Sequence, residues 1–114
     1  MEIKIILFWV VLLAMAAPSF IFGFAKIIRK KDKVELFQRL GYPVWFMIAV
    51  GLGEVASAIG LLFEPTRTIA IVLSATIVVG AIFSHVRARE PKEAVAPAIV
   101  LVHLAVIYVF TFFI

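Results

Sequence analysis

Glu54 stands in the stretch GLGEVASAIGLL and His103 in IVLVHLAV, an acid and an imidazole each surrounded by apolar and small residues. Lys26, His85 and Arg87 stand at the edges of similar runs, in FGFAKI and GAIFSHVR. These residue types move protons, hold a charge or contact a polar ligand. In apolar surroundings a lone charge costs at least about 2.5–3.5 kcal/mol at the centre of a bilayer, so each needs a partner or a cavity. Glu54 is therefore expected to face the protein interior. Its candidate partners are His103, at similar depth, and Lys26, whose long stem reaches inward, through a water if the difference in depth requires one.

The elements that must position these residues are legible in the composition. The chain of 114 residues is 65% hydrophobic and only 16% charged, against about 25% charged in a soluble domain. Its mean hydropathy is +1.18. Apolar runs of about 20 residues match the hydrocarbon core of a bilayer, because a helix rises about 1.5 Å per residue and satisfies its own backbone polar groups. Four runs qualify, over residues 5–26, 44–63, 68–86 and 94–114, and they predict a single all-α membrane domain over 1–114, a four-helix up-down bundle. The first run also resembles a secretory signal, with Lys4 ahead of it and Ala14-Met15-Ala16 within it. It continues apolar to Ile28, longer than such a signal's apolar region, so it is read as a span.

Basic residues orient the bundle. Lys26, Arg29, Lys30, Lys31, Lys33 and Arg39 fall in the first connection and Arg87, Arg89 and Lys92 in the third, leaving only Lys4 and Arg67 elsewhere. The positive-inside bias puts the first and third connections in the cytoplasm and both termini outside, in a membrane expected to be the bacterial cytoplasmic membrane. The same bias accounts for the net charge of +4 without a nucleic-acid partner.

In DKVELFQRLGYP, Asp32 is placed to cap a helix over about 33–40 that Gly41 and Pro43 end. Val34, Phe37 and Leu40 share one face of it, as expected of a helix lying in the headgroup region or lidding the bundle. Ala49, Gly53, Ser57 and Gly60 on the second span, and Thr76, Gly80 and Ser84 on the third, predict close helix contact within the bundle or between copies in a homo-oligomer. Pro18 is expected to kink the first span. Pro97 lies near the start of the fourth, where a bend costs less.

No cysteine is present, which excludes disulfides and thiol redox chemistry. No nucleotide loop, zinc motif or serine-histidine-acid arrangement is readable, and no metal is expected at the two histidines and Glu54. Two readings of the ionisable residues stay open. In one, Glu54 and His103 clasp the second and fourth spans while Lys26 and Arg87 reach phosphates. In the other, Lys26, Glu54, His85, Arg87 and His103 line a polar pocket.

The stretches FGFAKI, LGYPVWF, GLGEVASAIGLL and GAIFSHVR, with Pro97 beyond them, resemble in order the DoxX-like family of small four-span membrane proteins. The resemblance implies a four-helix membrane bundle with polar positions at Lys26, Glu54, His85 and Arg87; His103 is not part of it. The wider group includes subunits linked to thiosulfate or quinone oxidation, and animal relatives resemble receptor chaperones, so the resemblance implies a redox-associated setting and no single activity. The favoured expectation is a binding or accessory protein for a small lipophilic ligand, a quinone among the candidates, or for another membrane protein. The chain carries no cofactor of its own in that reading. One alternative is a membrane enzyme in which Glu54 or His85 is the catalytic proton carrier. Another is a proton-coupled transporter similar to the small multidrug exporters, whose glutamate is on the first span and not the second.

Overall fold

A computed structural model describes residues 2–111. The elements run α1 (Glu2–Ile27), α2 (Lys31–Arg39), α3 (Val44–Leu61), α4 (Glu64–Arg87), a 3-10 turn (Pro91–Ala94) and α5 (Val95–Thr111). Four helices, the last counted from the 3-10 turn onward, are long and apolar enough to cross a membrane. The all-α membrane bundle expected from the apolar runs is the architecture found. The end of the fourth expected span, 112–114, lies outside the described residues.

Boundaries shift where turn chemistry intervenes. The second span stops at Leu61 because Phe63 leaves the helical conformation (φ −115°, ψ 125°) to become the residue ahead of α4. Pro65 then sits in the first turn of α4, where a missing N–H removes no helical bond. Thr66 Oγ1 donates to the carbonyl of Gly60 (2.8 Å) and Arg67 Nε to that of Leu61 (2.8 Å), satisfying the last carbonyls of α3. Arg67 also lies over the Phe8 ring, 4.9 Å from its centroid, which ties this turn to α1. α1 runs unbroken through Pro18, and Pro97 falls in the first turn of α5.

The helices form a closed ring. α1 packs on α3, α3 on α4, α4 on α5 and α5 on α1, while among the described residues the diagonal pairs α1/α4 and α3/α5 have no close backbone approach. The fully buried apolar core, with Leu12, Leu61, Leu104 and Ile107 at its centre, fills the end of the ring away from α2. In the other half, Val95–His103 of α5 contains no buried residue, while Met47, Gly23 and Gly51 are buried between α1 and α3.

The connection helix forms two residues earlier than expected. Lys30 precedes it without a side-chain cap, and Asp32 lies inside its first turn, so the expected Asp32 cap is not made. The helix does end at Gly41. Tyr42 N–H bonds to the Phe37 carbonyl (2.9 Å) and Gly41 N–H to that of Gln38 (3.0 Å), around a left-handed Gly41 with φ +88°. Phe37 and Leu40 are buried against protein, and Phe37, Tyr42 and Phe46 form one aromatic cluster. The apolar face of α2 is thus covered by the bundle, so α2 is a lid and not a free interfacial anchor.

The tightest approach is between α1 and α3, at Gly23 and Gly51. A Cβ at Gly23 would lie 2.8 Å from the Gly51 carbonyl oxygen, and one at Gly51 would lie 2.7 Å from that of Gly23. Lipid gives no hydrophobic drive for helix association, so this backbone contact, dense in dispersion, is a principal source of cohesion. Of the small-residue faces, Gly53 meets Ile77 and Gly60 meets Ala70, as expected for α3 against α4. Ala49, Thr76 and Gly80 are exposed, and a Cβ at Gly80 would meet nothing within 4 Å. That part of the expected contact stripe therefore faces outward. Thr76 tolerates lipid because its hydroxyl donates to the Val72 carbonyl (2.8 Å), beside an apolar groove of about 400 Å³ lined by Ile71, Val72, Ala75, Thr76 and Val79. Gly23→Ala and Gly51→Ala are each expected to destabilise the bundle by about 1–3 kcal/mol, whereas Gly80→Ala should hold or raise stability. Unfolding in mixed detergent micelles followed by circular dichroism measures this, and equal responses from all three variants would contradict the crossing.

Candidate functional site

The glycine crossing decides where the acid of α3 goes. Along α3 the exposed positions Trp45, Ala49, Leu52, Ala56 and Ile59 form one helical stripe, and Glu54 lies on the opposite face, toward the bundle. It is the eleventh residue of α3, about 15 Å along the helix from Val44. Lys26 follows Gly23 by three residues, just as Glu54 follows Gly51, and a helical side chain leans back toward its own N-terminus. On antiparallel helices these leanings converge.

Lys26 Nζ lies 2.6 Å from Glu54 Oε1, with side-chain exposures of only 11% and 19%. The expected difference in depth is closed without a water, because Gly51 lets the Lys26 stem lie against α3. The contact is close but lies off the direction of a hydrogen bond. Glu54 Oε1 is thereby buried beside a cation yet has no directed donor. Proximity governs the Coulomb attraction, and direction governs the hydrogen bond, so the pair is an ion pair with unused hydrogen-bonding capacity.

His103 is not the partner of Glu54. Its Nε2 lies 2.9 Å from the carbonyl oxygen of Val11 on α1. A carbonyl only accepts, so Nε2 carries the proton. Val11 precedes Gly23 by twelve residues, about 18 Å of helix, and α3 and α5 are diagonal in the ring. The clasp expected between the second and fourth spans is therefore replaced by one between the first and fourth. It reinforces a seam otherwise marked by the edge-to-face contact of Phe8 and Phe110, whose centroids are 6.2 Å apart.

His85 and Arg87 belong to a third place, the end of the bundle that carries α2. Gly53 faces Ile77, and His85 lies eight residues beyond Ile77, about 12 Å from the level of Glu54. Here Glu90 is the hub. Arg39 binds its two oxygens, through Nε at 2.9 Å and Nη2 at 3.2 Å, and His85 Nδ1 is 3.2 Å from Oε1. Arg87 Nη2 donates to the Leu40 carbonyl (3.1 Å) and its guanidinium lies over the Tyr42 ring. Ser84 Oγ spends its proton on the Gly80 carbonyl (2.8 Å), so Tyr42 donates to Ser84 in their 2.7 Å contact. These bonds fasten α2 and the connection after it to the end of α4.

The five sequence candidates are thus divided among three places: Lys26 with Glu54, His103 with a backbone carbonyl, and His85 and Arg87 in the α2 fastening. Among the described residues no three histidine or acidic side chains gather as a metal site. Glu90, Arg39, Tyr42, Gly23 and Gly51 were missed by sequence reasoning. The signal for the glycines was present, since each precedes an ionisable residue by three positions. For Glu90 it was only an acid between Arg89 and Lys92.

The hydrogen bond from His85, aided by Arg39 and opposed by burial, holds the Glu90 carboxyl below its ordinary value of 4.5. A carboxyl with a lowered folded-state pKa contributes stability that is present above its unfolded value and is lost as pH falls through the folded one. Acidification below about pH 4.5 should therefore loosen the α2 fastening. Glu90→Gln should be less stable than the unmodified protein at pH 7 and lose less on acidification, as melting in detergent between pH 7 and 3.5 would reveal. Parallel acid losses in the two proteins would remove Glu90 from that role.

Searches of curated proteins and of solved structures find no match. The family model described as DoxX-like matches residues 9–107, a stretch that takes in the glycine crossing, the ion pair, the Glu90 hub and His103. With four membrane-crossing helices and that match over most of its length, the chain belongs to the DoxX-like family and is an integral membrane protein.

Proposed function

We propose that the protein is a membrane-embedded binding or accessory protein whose working site is the Lys26–Glu54 pair, and that its ligand is a small lipophilic molecule with a polar head, a quinone in the first instance. The observation that carries this reading is the Lys26–Glu54 ion pair itself, 2.6 Å long and mostly buried at mid-depth of the bundle. A charge pair inside a bilayer is costly and marks a working site, and the carboxylate's spare lone pairs are open to a donor from outside the chain. A hydroquinone hydroxyl supplies one, and the opposite redox form presents a carbonyl that accepts from the ammonium of Lys26, which has three hydrogens and one close contact. The ring itself would lie among apolar side chains, as ligand sites usually provide.

Partial exposure of the pair supports the same reading. The Lys26 and Glu54 side chains keep 11% and 19% of their surface open, while the fully buried core centres on Leu12, Leu61, Leu104 and Ile107. A lipophilic molecule then reaches the pair from the bilayer without unfolding the core. The charge distribution supports an orientation in which the α2 end faces the cytoplasm of a bacterial cell.

Both parts are testable. A short-chain ubiquinone analogue titrated into the protein in nanodiscs should quench Trp45 or Trp9 fluorescence saturably, and Glu54→Gln should weaken that binding about ten-fold or more while helicity is kept. Unchanged saturable binding in the variant would count against the site. Because the chain has no cysteine, Lys31→Cys and Glu64→Cys are clean reporters of orientation. A membrane-impermeant maleimide should label Glu64→Cys in intact cells and Lys31→Cys only after the membrane is opened; the reverse pattern would invert the topology.

A further inference from the structure

Among the described residues, two other than glycine have a left-handed backbone, and both are arginines: Arg29 (φ 60°) and Arg89 (φ 62°). Each occupies the position just past a helix end where glycine is free of strain. Lys30 N–H bonds to the Ala25 carbonyl (2.9 Å) and Arg29 N–H to that of Lys26 (3.2 Å) at the end of α1. Glu90 N–H bonds to the His85 carbonyl (2.8 Å) and Arg89 N–H to that of Val86 (3.0 Å) at the end of α4. At the third such end, after α2, the residue is Gly41. The backbone motif alone therefore does not require arginine, and a side chain there is held at a conformational cost.

The two arginines share further properties. Both are exposed at the α2 end of membrane-crossing helices, and among the described residues neither makes an ion pair or a side-chain hydrogen bond. Exposed lysines flank them, Lys30 and Lys31 beside Arg29, and Lys92 beyond Arg89. The other arginines of this end have partners, Arg39 in Glu90 and Arg87 in the Leu40 carbonyl. Asp32, Glu35 and Glu93 are also exposed here and pair with neither Arg29 nor Arg89. A guanidinium at the level of the headgroups, carried on a left-handed backbone and left without a protein acceptor, has the donors to grip a phosphodiester with two parallel hydrogen bonds.

We infer that Arg29 and Arg89 are the anchors of two anionic-phospholipid sites on the rim of the bundle, each holding one headgroup phosphate. The sites are separate because α1 and α4 do not pack on one another. Each positively charged residue near an anionic surface contributes about five-fold to the association, so the two sites act additively. Their occupancy pins the ends of α1 and α4 in one leaflet.

Arginine-to-glycine substitutions make the test unusually clean, because glycine suits the backbone at both positions. Native mass spectrometry of the detergent-purified protein, with palmitoyl-oleoyl phosphatidylglycerol, the matching phosphatidylcholine or inorganic phosphate added separately, reads bound lipid directly. The unmodified protein should retain up to two phosphatidylglycerol molecules in preference to phosphatidylcholine, with no retained phosphate. Arg29→Gly and Arg89→Gly should each lose one and weaken retention about five-fold, and the double variant should lose the preference while melting at or above the unmodified temperature. Arg29→Asn with Arg89→Asn, neutral and tolerant of the left-handed backbone, should behave like the double glycine variant. Full phosphatidylglycerol preference in either double variant overturns the inference. So does a double variant that melts lower with its preference intact, which would assign the arginines to neutralising the helix ends.

Discussion

The backbone contact between Gly23 and Gly51 is the constraint on which the rest of the structure depends. A bilayer offers apolar side chains no reward for leaving lipid, so helices must gain cohesion from close packing and from polar groups that have no better partner. At this crossing both terms coincide. Two glycines bring the main chains together, and the residue three positions after each is ionisable, one basic and one acidic. Either glycine with a side chain would push the helices apart and stretch the ion pair. The crossing and the pair are in that sense one device.

Around it, the ring closes by different means at its two ends. The end away from α2 is an apolar core, locked by Arg67 stacked over Phe8 and by the His103 bond to Val11. The α2 end is polar, held by a carboxylate between an arginine and a histidine, by an arginine on a backbone carbonyl and by a tyrosine on a serine. Groups of this kind tolerate the water and headgroups at a membrane surface, whereas an apolar core does not need them. The first half of α5, in which no residue is fully buried, lies toward the α2 end of the ring.

Much of this was legible from residue types. The four spans, the connection helix with its apolar face and its glycine stop, and the inward orientation of Glu54 follow from hydropathy, periodicity and the cost of a charge in lipid. Lys26 was one of two partners on offer. The other, His103, lies at similar depth, and depth is the coordinate that a linear sequence yields for a membrane helix. Azimuth is not. His103 turns toward α1, and α3 and α5 are diagonal, so equal depth did not mean proximity. Glu90 was overlooked because an acid in a basic connection reads as an ordinary solvated charge until the ends of α2 and α4 are brought together.

That the chain is a four-span membrane protein with a basic end follows from residue types alone, because hydropathy, helix length and charge bias are sums over residues and need no knowledge of neighbours. Residue types also require shelter for Glu54, since the cost of a charge in hydrocarbon does not depend on which helix provides the shelter. Who provides it is settled by the fold. Which faces meet is set by the order of helices around the ring and by the few positions where backbones can touch, and these are properties of pairs. The same holds for the dispersal of the five candidate residues into three sites, and for the arginines at the ends of α1 and α4, whose strained conformation only the folded chain makes visible.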